Sequence, residues 1–227
     1  MNDKQRTGDT IHQDTAKGAA AYTRTSLAIY DLFVLGFSNS FAWNCPSRVI
    51  LDFYNQHVSD RHLDVGVGTG YFLDRCRFPV EKPAIALLDL NQNSLAATAK
   101  RLQRYQPSCH KADVLQPINA GISEFTSIGM NYLLHCLPGD LSTKSAAFAN
   151  LKPLLRSGGV IFGATILGKG VDRNLPATML SSLYNRKGIF SNREDALPDL
   201  EAGLREHFVD TEVRMQGCVA LFSGRNK

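Results

Sequence analysis

The sequence predicts an α/β protein whose mostly parallel sheet carries helices on both faces. Three observations lead there. From 61 to 166, apolar runs alternate with amphipathic stretches, and turn signals stand between them at Pro79, Pro83, Pro107, Pro117, Gly121, Pro138 and Gly158-Gly159. That alternation is the pattern of β-α-β units with right-handed crossovers. The stretch from His62 to Gly70 reads as a buried strand entering a glycine-rich turn that opens a helix. Finally, 208–215 and 218–224 read as two strands joined by Gln216-Gly217, a link too short for a parallel crossover, so an antiparallel hairpin is expected.

Residues 1–14 are polar and aperiodic and read as a mobile tail. One domain is expected over 15–227. Its 15–58 part places Tyr22, Leu27, Tyr30, Phe33 and Val34, then Val49, Ile50, Phe53 and Tyr54, at helical spacing around a break at Pro46, as a helical cap ahead of the sheet. The first strand feeds a helix over 69–76. Ala84 to Leu88 is apolar throughout, as a strand covered on both faces requires. A helix over 92–105 and a short strand before Asp113 follow. A strand from Phe125, a helix over 141–155 kinked by Pro153, and a Gly158-Gly159 turn into strand five complete the core. The 168–192 segment exceeds an ordinary connection and sets Leu175, Met179, Leu180, Leu183 and Tyr184 at helical spacing between Gly168, Gly170 and Gly188. A lid over an acceptor is expected there, with an extra core helix as the alternative.

With 227 residues, 44% of them hydrophobic, the chain can bury a sizeable core without staples. Its five cysteines are scattered, odd in number and never in a C-x-x-C pair, so neither a disulfide framework nor a metal site is expected, and a reducing cytoplasm is the simplest setting. No apolar run of signal-peptide length follows a basic start and no run approaches about 20 apolar residues, so neither a signal peptide nor a membrane span is expected. The net charge of +4 is modest. Lys100, Arg101 and Arg104 fall on one helix as a solvated face, and basic and aromatic residues do not interleave, so no nucleic-acid partner is expected.

The turn carries the chemistry. Glycines at 66, 68 and 70 let the backbone approach a ligand and adopt angles that side chains forbid. A dinucleotide fingerprint needs a small residue at position 71, where Tyr71 stands. Asp64, ahead of the first glycine, suits instead the ammonium of a cofactor bearing an amino acid. Asp89 ends the second strand, 19 residues beyond Gly70, where a carboxylate can accept both hydroxyls of a ribose.

Asp64-Val65-Gly66-Val67-Gly68-Thr69-Gly70 resembles motif I of the class I S-adenosylmethionine-dependent methyltransferases. Lys111-Ala112-Asp113-Val114 resembles the position that accepts the adenine amino group in that family, 125–138 resembles motif IV and its loop, and Leu155-Arg156-Ser157-Gly158-Gly159 resembles the turn before strand five. The resemblance is close over about 60–166. It implies a Rossmann-like seven-stranded sheet of order 3-2-1-4-5-7-6 with strand 7 antiparallel. It also implies S-adenosyl-L-methionine as cofactor, S-adenosyl-L-homocysteine as product, and a cofactor site of Asp64, Gly66, Gly68, Thr69, Gly70, Asp89, Leu90, Asp113, Val114, Met130 and Asn131. Tyr30-Asp31-Leu32-Phe33 with Ser38-Asn39 and Trp43 resembles the segment that closes over the cofactor in quinone methyltransferases, which adds Tyr30 and Tyr22 to that site. Tyr184 to Gly188 and Phe190 to Asn192 resemble small bacterial and fungal methyltransferases of secondary metabolism.

These readings converge on methyl transfer to an oxygen or nitrogen of a small, partly hydrophobic metabolite by a monomer or homodimer. His135 is the candidate base, since an imidazole can take a proton near neutrality. Trp43, Met179, Tyr184 and Phe190 are the candidate acceptor pocket. Two alternatives stay open: a methyltransferase-like regulatory or scaffold protein without turnover, and a nicotinamide-dependent oxidoreductase, for which no Y-x-x-x-K pair is present.

Overall fold

A computed structural model describes residues 39–118, 121–122 and 124–227. The expected tail over 1–14, the cap up to residue 38, and with them Tyr22 and Tyr30, lie outside the described residues. A helical turn, Asn39–Phe41, leads into α1 (Ser47–His57), β1 (Arg61–Val65), α2 (Tyr71–Arg75), β2 (Ala84–Asp89), α3 (Gln92–Arg101), β3 (Ser108–Lys111) and β4 (Phe125–Asn131). Then come α4 (Leu141–Lys144), α5 (Ala146–Leu151), β5 (Leu155–Ile166), α6 (Leu175–Arg186), α7 (Leu197–His207), β6 (Val209–Gln216) and β7 (Val219–Arg225).

The sheet runs β3-β2-β1-β4-β5-β7-β6, the order that the resemblance implies. β1 to β5 pair in parallel, and β7 lies antiparallel between β5 and β6. Asp64 is paired with Leu87 on one side and Gly129 on the other, which puts motif I in the middle of the sheet.

Side chains alternate across a strand, and that alternation divides the core in two. Ile85, Leu87, Phe162 and Leu221 face Phe53 and Tyr54 of α1, Phe72 and Leu73 of α2 and Leu95 of α3. Leu63, Leu88, Ile128, Met130 and Phe222 face Phe148 and Leu151 of α5 and Leu200 and Leu204 of α7. Both layers are needed because a parallel sheet has no face that tolerates water.

Several expected boundaries shift. The helix expected over 69–76 shortens to Tyr71–Arg75, because Gly70 holds a left-handed φ of 71° that no helix continues through. The helix expected over 92–105 ends at Arg101, and a 3-10 turn, Gln103–Tyr105, finishes it. The single kinked helix expected over 141–155 is broken at Ser145, whose hydroxyl donates back to the Ser142 carbonyl at 2.6 Å; Pro153 then sits in a separate 3-10 turn, Lys152–Leu154. At the entry to β5, Leu155 pairs with Phe125 and Val160 with Ser127, so 156–159 bulge out around Gly158-Gly159.

Candidate active site

Ligands of an open parallel sheet collect beyond the carboxyl ends of its strands. There the structure opens a crevice of about 960 Å³, its mouth included, between the turn after β1, the ends of β2 and β3, and the loop after β4. Gly66, Gly68, Thr69, Asp89, Leu90, Asp113, Val114 and Asn131 line it. A smaller recess of about 250 Å³, between Tyr54, Asp64, Tyr71 and Asn131, adjoins it through Gly66, Val67 and Asn131. All three predicted carboxylates thus come to one edge of the sheet.

The turn is shaped by two contrasting glycines. At Gly70 (φ +71°) a Cβ would strike the Thr98 side chain at 2.7 Å, so α3 is packed directly on the turn. At Gly68 (φ +51°) a Cβ would meet nothing, so that residue serves the left-handed turn and leaves its backbone open to the crevice. The Thr98 hydroxyl ties the turn down by donating to the Gly68 carbonyl at 3.2 Å.

Asp89 is half-buried and accepts the Asn91 N–H at 2.8 Å. Burial pushes its carboxyl up to about 6, despite the backbone N–H groups of Asn91, Gly68 and Val67 that favour its charge. Asp113 is buried and accepts the Leu115 N–H at 3.0 Å. Asp64 is buried and accepts the Tyr54 hydroxyl at 3.1 Å. Asn131 stands where crevice and recess meet, and neither polar atom of its buried amide has a hydrogen-bond partner among the described residues. An amide left so is costly unless a ligand completes it. Three carboxylates spread along the crevice and its recess, with an unpaired amide between them, fit a cofactor that carries both a nucleoside and an amino acid.

A matching family model for a methyltransferase domain spans residues 63–161. Over 212 residues the chain is 40% identical to demethylluteothin O-methyltransferase of Streptomyces thioluteus, covering 93% of this chain and 92% of that one. The chain belongs to the class I S-adenosylmethionine-dependent methyltransferases. It is also 36% identical over 210 residues to the physcion biosynthesis cluster O-methyltransferase of Aspergillus chevalieri, covering 92% and 94% of the two chains. Among solved structures, the DhpI complex with S-adenosylhomocysteine superposes with a TM-score of 0.69 over 95% of this chain and 98% of that one, at 12% identity, a likeness of fold. The protein is therefore an enzyme that uses S-adenosyl-L-methionine, and not a scaffold without turnover or a nicotinamide-dependent oxidoreductase.

Three expected assignments change. Met130 does not line the crevice; alternation along β4 turns it into the opposite core layer, fully buried against the α5 side. His135 is also fully buried and outside the crevice lining. Its Nδ1 accepts the Ile166 N–H at 3.3 Å, so the ring proton sits on Nε2. Burial and the Lys144 charge pull its pKa down to about 3, so it is neutral and too weak a base for the role expected of it. Met179, on α6, is 72% exposed and so is not packed as the other candidate acceptor residues are, since Trp43 and Phe190 are buried and Tyr184 half-buried.

The remaining acceptor candidates do gather. Phe190 lies 6.0 Å from the Trp43 ring, 4.9 Å from Tyr184 and 4.6 Å from His135, which in turn touches Tyr132 of the crevice wall. The 168–192 segment is anchored beneath them. Lys144 Nζ donates to both carboxylate oxygens of Asp195 (2.8 and 2.6 Å) and to the Ser191 carbonyl (2.7 Å), with both charged side chains buried. Ser191 N–H donates to the His135 carbonyl, and Asn192 donates to the Ile166 carbonyl.

Tyr132, Leu133, Cys136 and Leu137 line the crevice and were not singled out individually from the sequence. Tyr132 holds a left-handed φ of 59°, and its hydroxyl donates to buried Asn39 at 3.0 Å. An aromatic residue directly after the Asn that ends an apolar strand was the available signal. Among the described residues no helix is long and apolar enough to cross a membrane.

Proposed function

We propose that this methyltransferase acts on the oxygen of an acidic hydroxyl, a phenol or enol, of a small and partly apolar molecule. When bound, S-adenosyl-L-methionine supplies a methyl group already activated by its sulfonium. Asp89 would accept the ribose hydroxyls, Asp113 the adenine amino group, Asp64 the ammonium, and the Asn131 amide would be completed at the junction between them. Leu90, Val114, Leu133 and Leu137 exclude water from the walls, and exclusion together with alignment is most of what this transfer asks of the protein.

One observation carries the choice of acceptor: the described crevice lining contains no imidazole or amine to serve as a base, since His135 faces away and is neutral. An acceptor that ionises by itself near neutrality needs none. Its support in the comparisons is that two relatives are named as O-methyltransferases. The aromatic group of Trp43, Tyr184 and Phe190 would form the acceptor side, with 168–192 as its cover. The five free cysteines suit a reducing compartment such as the cytoplasm, and a monomer or homodimer suffices for this chemistry.

The test is a pH–rate series with phenols of graded acidity. The inflection of kcat/KM should follow the pKa of each phenol; an inflection fixed across the series would mean that the protein supplies a base. Activity confined to amines would overturn the oxygen assignment.

A further inference from the structure

A line of buried polar groups runs from motif I along one face of the sheet to the amino-terminal ends of β1 and β4, and every proton in it points the same way. The Tyr54 hydroxyl donates to Asp64 Oδ1 and, its one proton committed, accepts from His62 Nε2 at 2.7 Å. The proton of the ring is therefore on Nε2, and Nδ1 accepts from the Ser127 hydroxyl at 2.8 Å. Ser127 accepts in turn from the Ser59 N–H at 3.0 Å. Burial and the Asp64 charge push the Tyr54 phenol well above its ordinary range, so it remains a donor.

The surroundings are built for this line. His62 and Asp64 are two apart on β1 and share a face, and both lean over Gly129 of β4. A Cβ at 129 would come within 3.1 Å of Asp64 Oδ1 and of His62 Cε1, so β4 is bare where the pair needs room. Phe162 stacks on His62 at 5.8 Å and meets Tyr54 edge-on at 4.9 Å, and Phe78 covers the ring from another side at 6.4 Å. In so apolar a box, hydrogen bonds to a carboxylate are strong and directional.

We propose that Tyr54 and His62 are positioning residues for the cofactor: they hold the Asp64 carboxylate in one orientation, with Oδ1 engaged and Oδ2 offered to the ammonium of S-adenosylmethionine. This rests on the reading that Asp64 faces that ammonium. The arrangement requires Gly129, and it loads the amino-acid end of the ligand while leaving the adenosine end to Asp89 and Asp113.

Calorimetric titration with two ligands tests it: S-adenosylhomocysteine, and 5′-methylthioadenosine, which keeps the adenosine and thioether but lacks the amino acid. Tyr54→Phe retains the ring packing and should weaken S-adenosylhomocysteine on the order of 10-fold, the scale of one hydrogen bond to a charged group, while methylthioadenosine affinity stays unchanged. Gly129→Ala presses on both Asp64 Oδ1 and the His62 ring and should give the same selective loss, which keeps the test alive if Tyr54→Phe fails to fold. Equal weakening of both ligands would mean general loosening and overturn the proposal. If Asp64→Asn weakens S-adenosylhomocysteine selectively and Tyr54→Phe does not, positioning is refuted while the Asp64 reading stands. If Asp64→Asn has no effect, that reading falls and the proposal with it.

Discussion

At the carboxyl ends of β1 to β4 the buried polar groups are left partly open, whereas those of Lys144, Asp195 and Asn192, which anchor the end of the 168–192 segment, are saturated. Asn131 has two polar atoms without partners among the described residues. Lys144, by contrast, donates to three oxygens, and Asn192 both donates to Ile166 and accepts from Asn185. The difference separates two tasks. The first region keeps unmet hydrogen-bonding capacity for a ligand and sacrifices some stability to do so; the second uses its capacity internally, to fix where a wall of the acceptor side stands.

Breaking the saturated region should cost most. Lys144→Met leaves the Asp195 carboxylate buried and uncompensated, and urea unfolding should show a loss of about 3–5 kcal/mol; the double variant Lys144→Met/Asp195→Leu should recover most of it. Failure of the double variant to recover would mean that the pair anchors 191–195 in a way apolar packing cannot replace.

In the open region, affinity and stability should move in opposite directions. The Asp89 carboxyl titrates near 6 in the fold, against about 4 in an unfolded chain, so its contribution to stability is greatest below about pH 4 and is lost as pH rises through 6. Asp89→Asn should therefore raise the melting temperature at pH 8 more than at pH 5, while weakening S-adenosylhomocysteine roughly 10- to 100-fold. A variant that loses both stability and affinity would erase the contrast between the two regions.

The smallest expected effect lies between the regions, at His135. Its pKa is near 3 in the fold and about 6.5 in an unfolded chain, so its contribution is complete above about 6.5 and is lost as the pH falls towards 3. His135→Gln should flatten that acid limb of the stability profile and lower kcat by far less than the roughly 10²-fold that loss of a base costs. A loss of that size, with the acid limb unchanged, would restore His135 as the base.

The sheet was legible because its strands obey a period of two and its turns carry glycine or proline, and strand order followed from the resemblance carried by 64–70, 111–114 and 125–138. Asp89 was legible for a related reason, since it sits where the apolar run of β2 stops, whereas Asp64 and Asp113 were legible only through the motifs they resemble. Met130 and His135 were misplaced by the same kind of error, since position in a motif says nothing about the side to which a side chain turns. For Met130, the alternation along β4 decides it; for His135, a single 3-10 turn, Leu134–Cys136, directs the ring into the core. The break at Ser145 and the tie between Tyr54 and His62 depend on local or long-range hydrogen bonds that hydrophobic periodicity does not register.

The place of β7 between β5 and β6 has a consequence for synthesis on the ribosome. Among the described residues β6 has no neighbour in the sheet other than β7, so it cannot join until residues 219–225 have emerged. Until then β5 presents an unpaired edge over 160–166, apolar and β-branched at Val160, Ile161, Thr165 and Ile166, to whatever strand it meets first. Such an edge is prone to pair with other nascent chains, so the yield of soluble protein should depend on how quickly the last two strands are delivered.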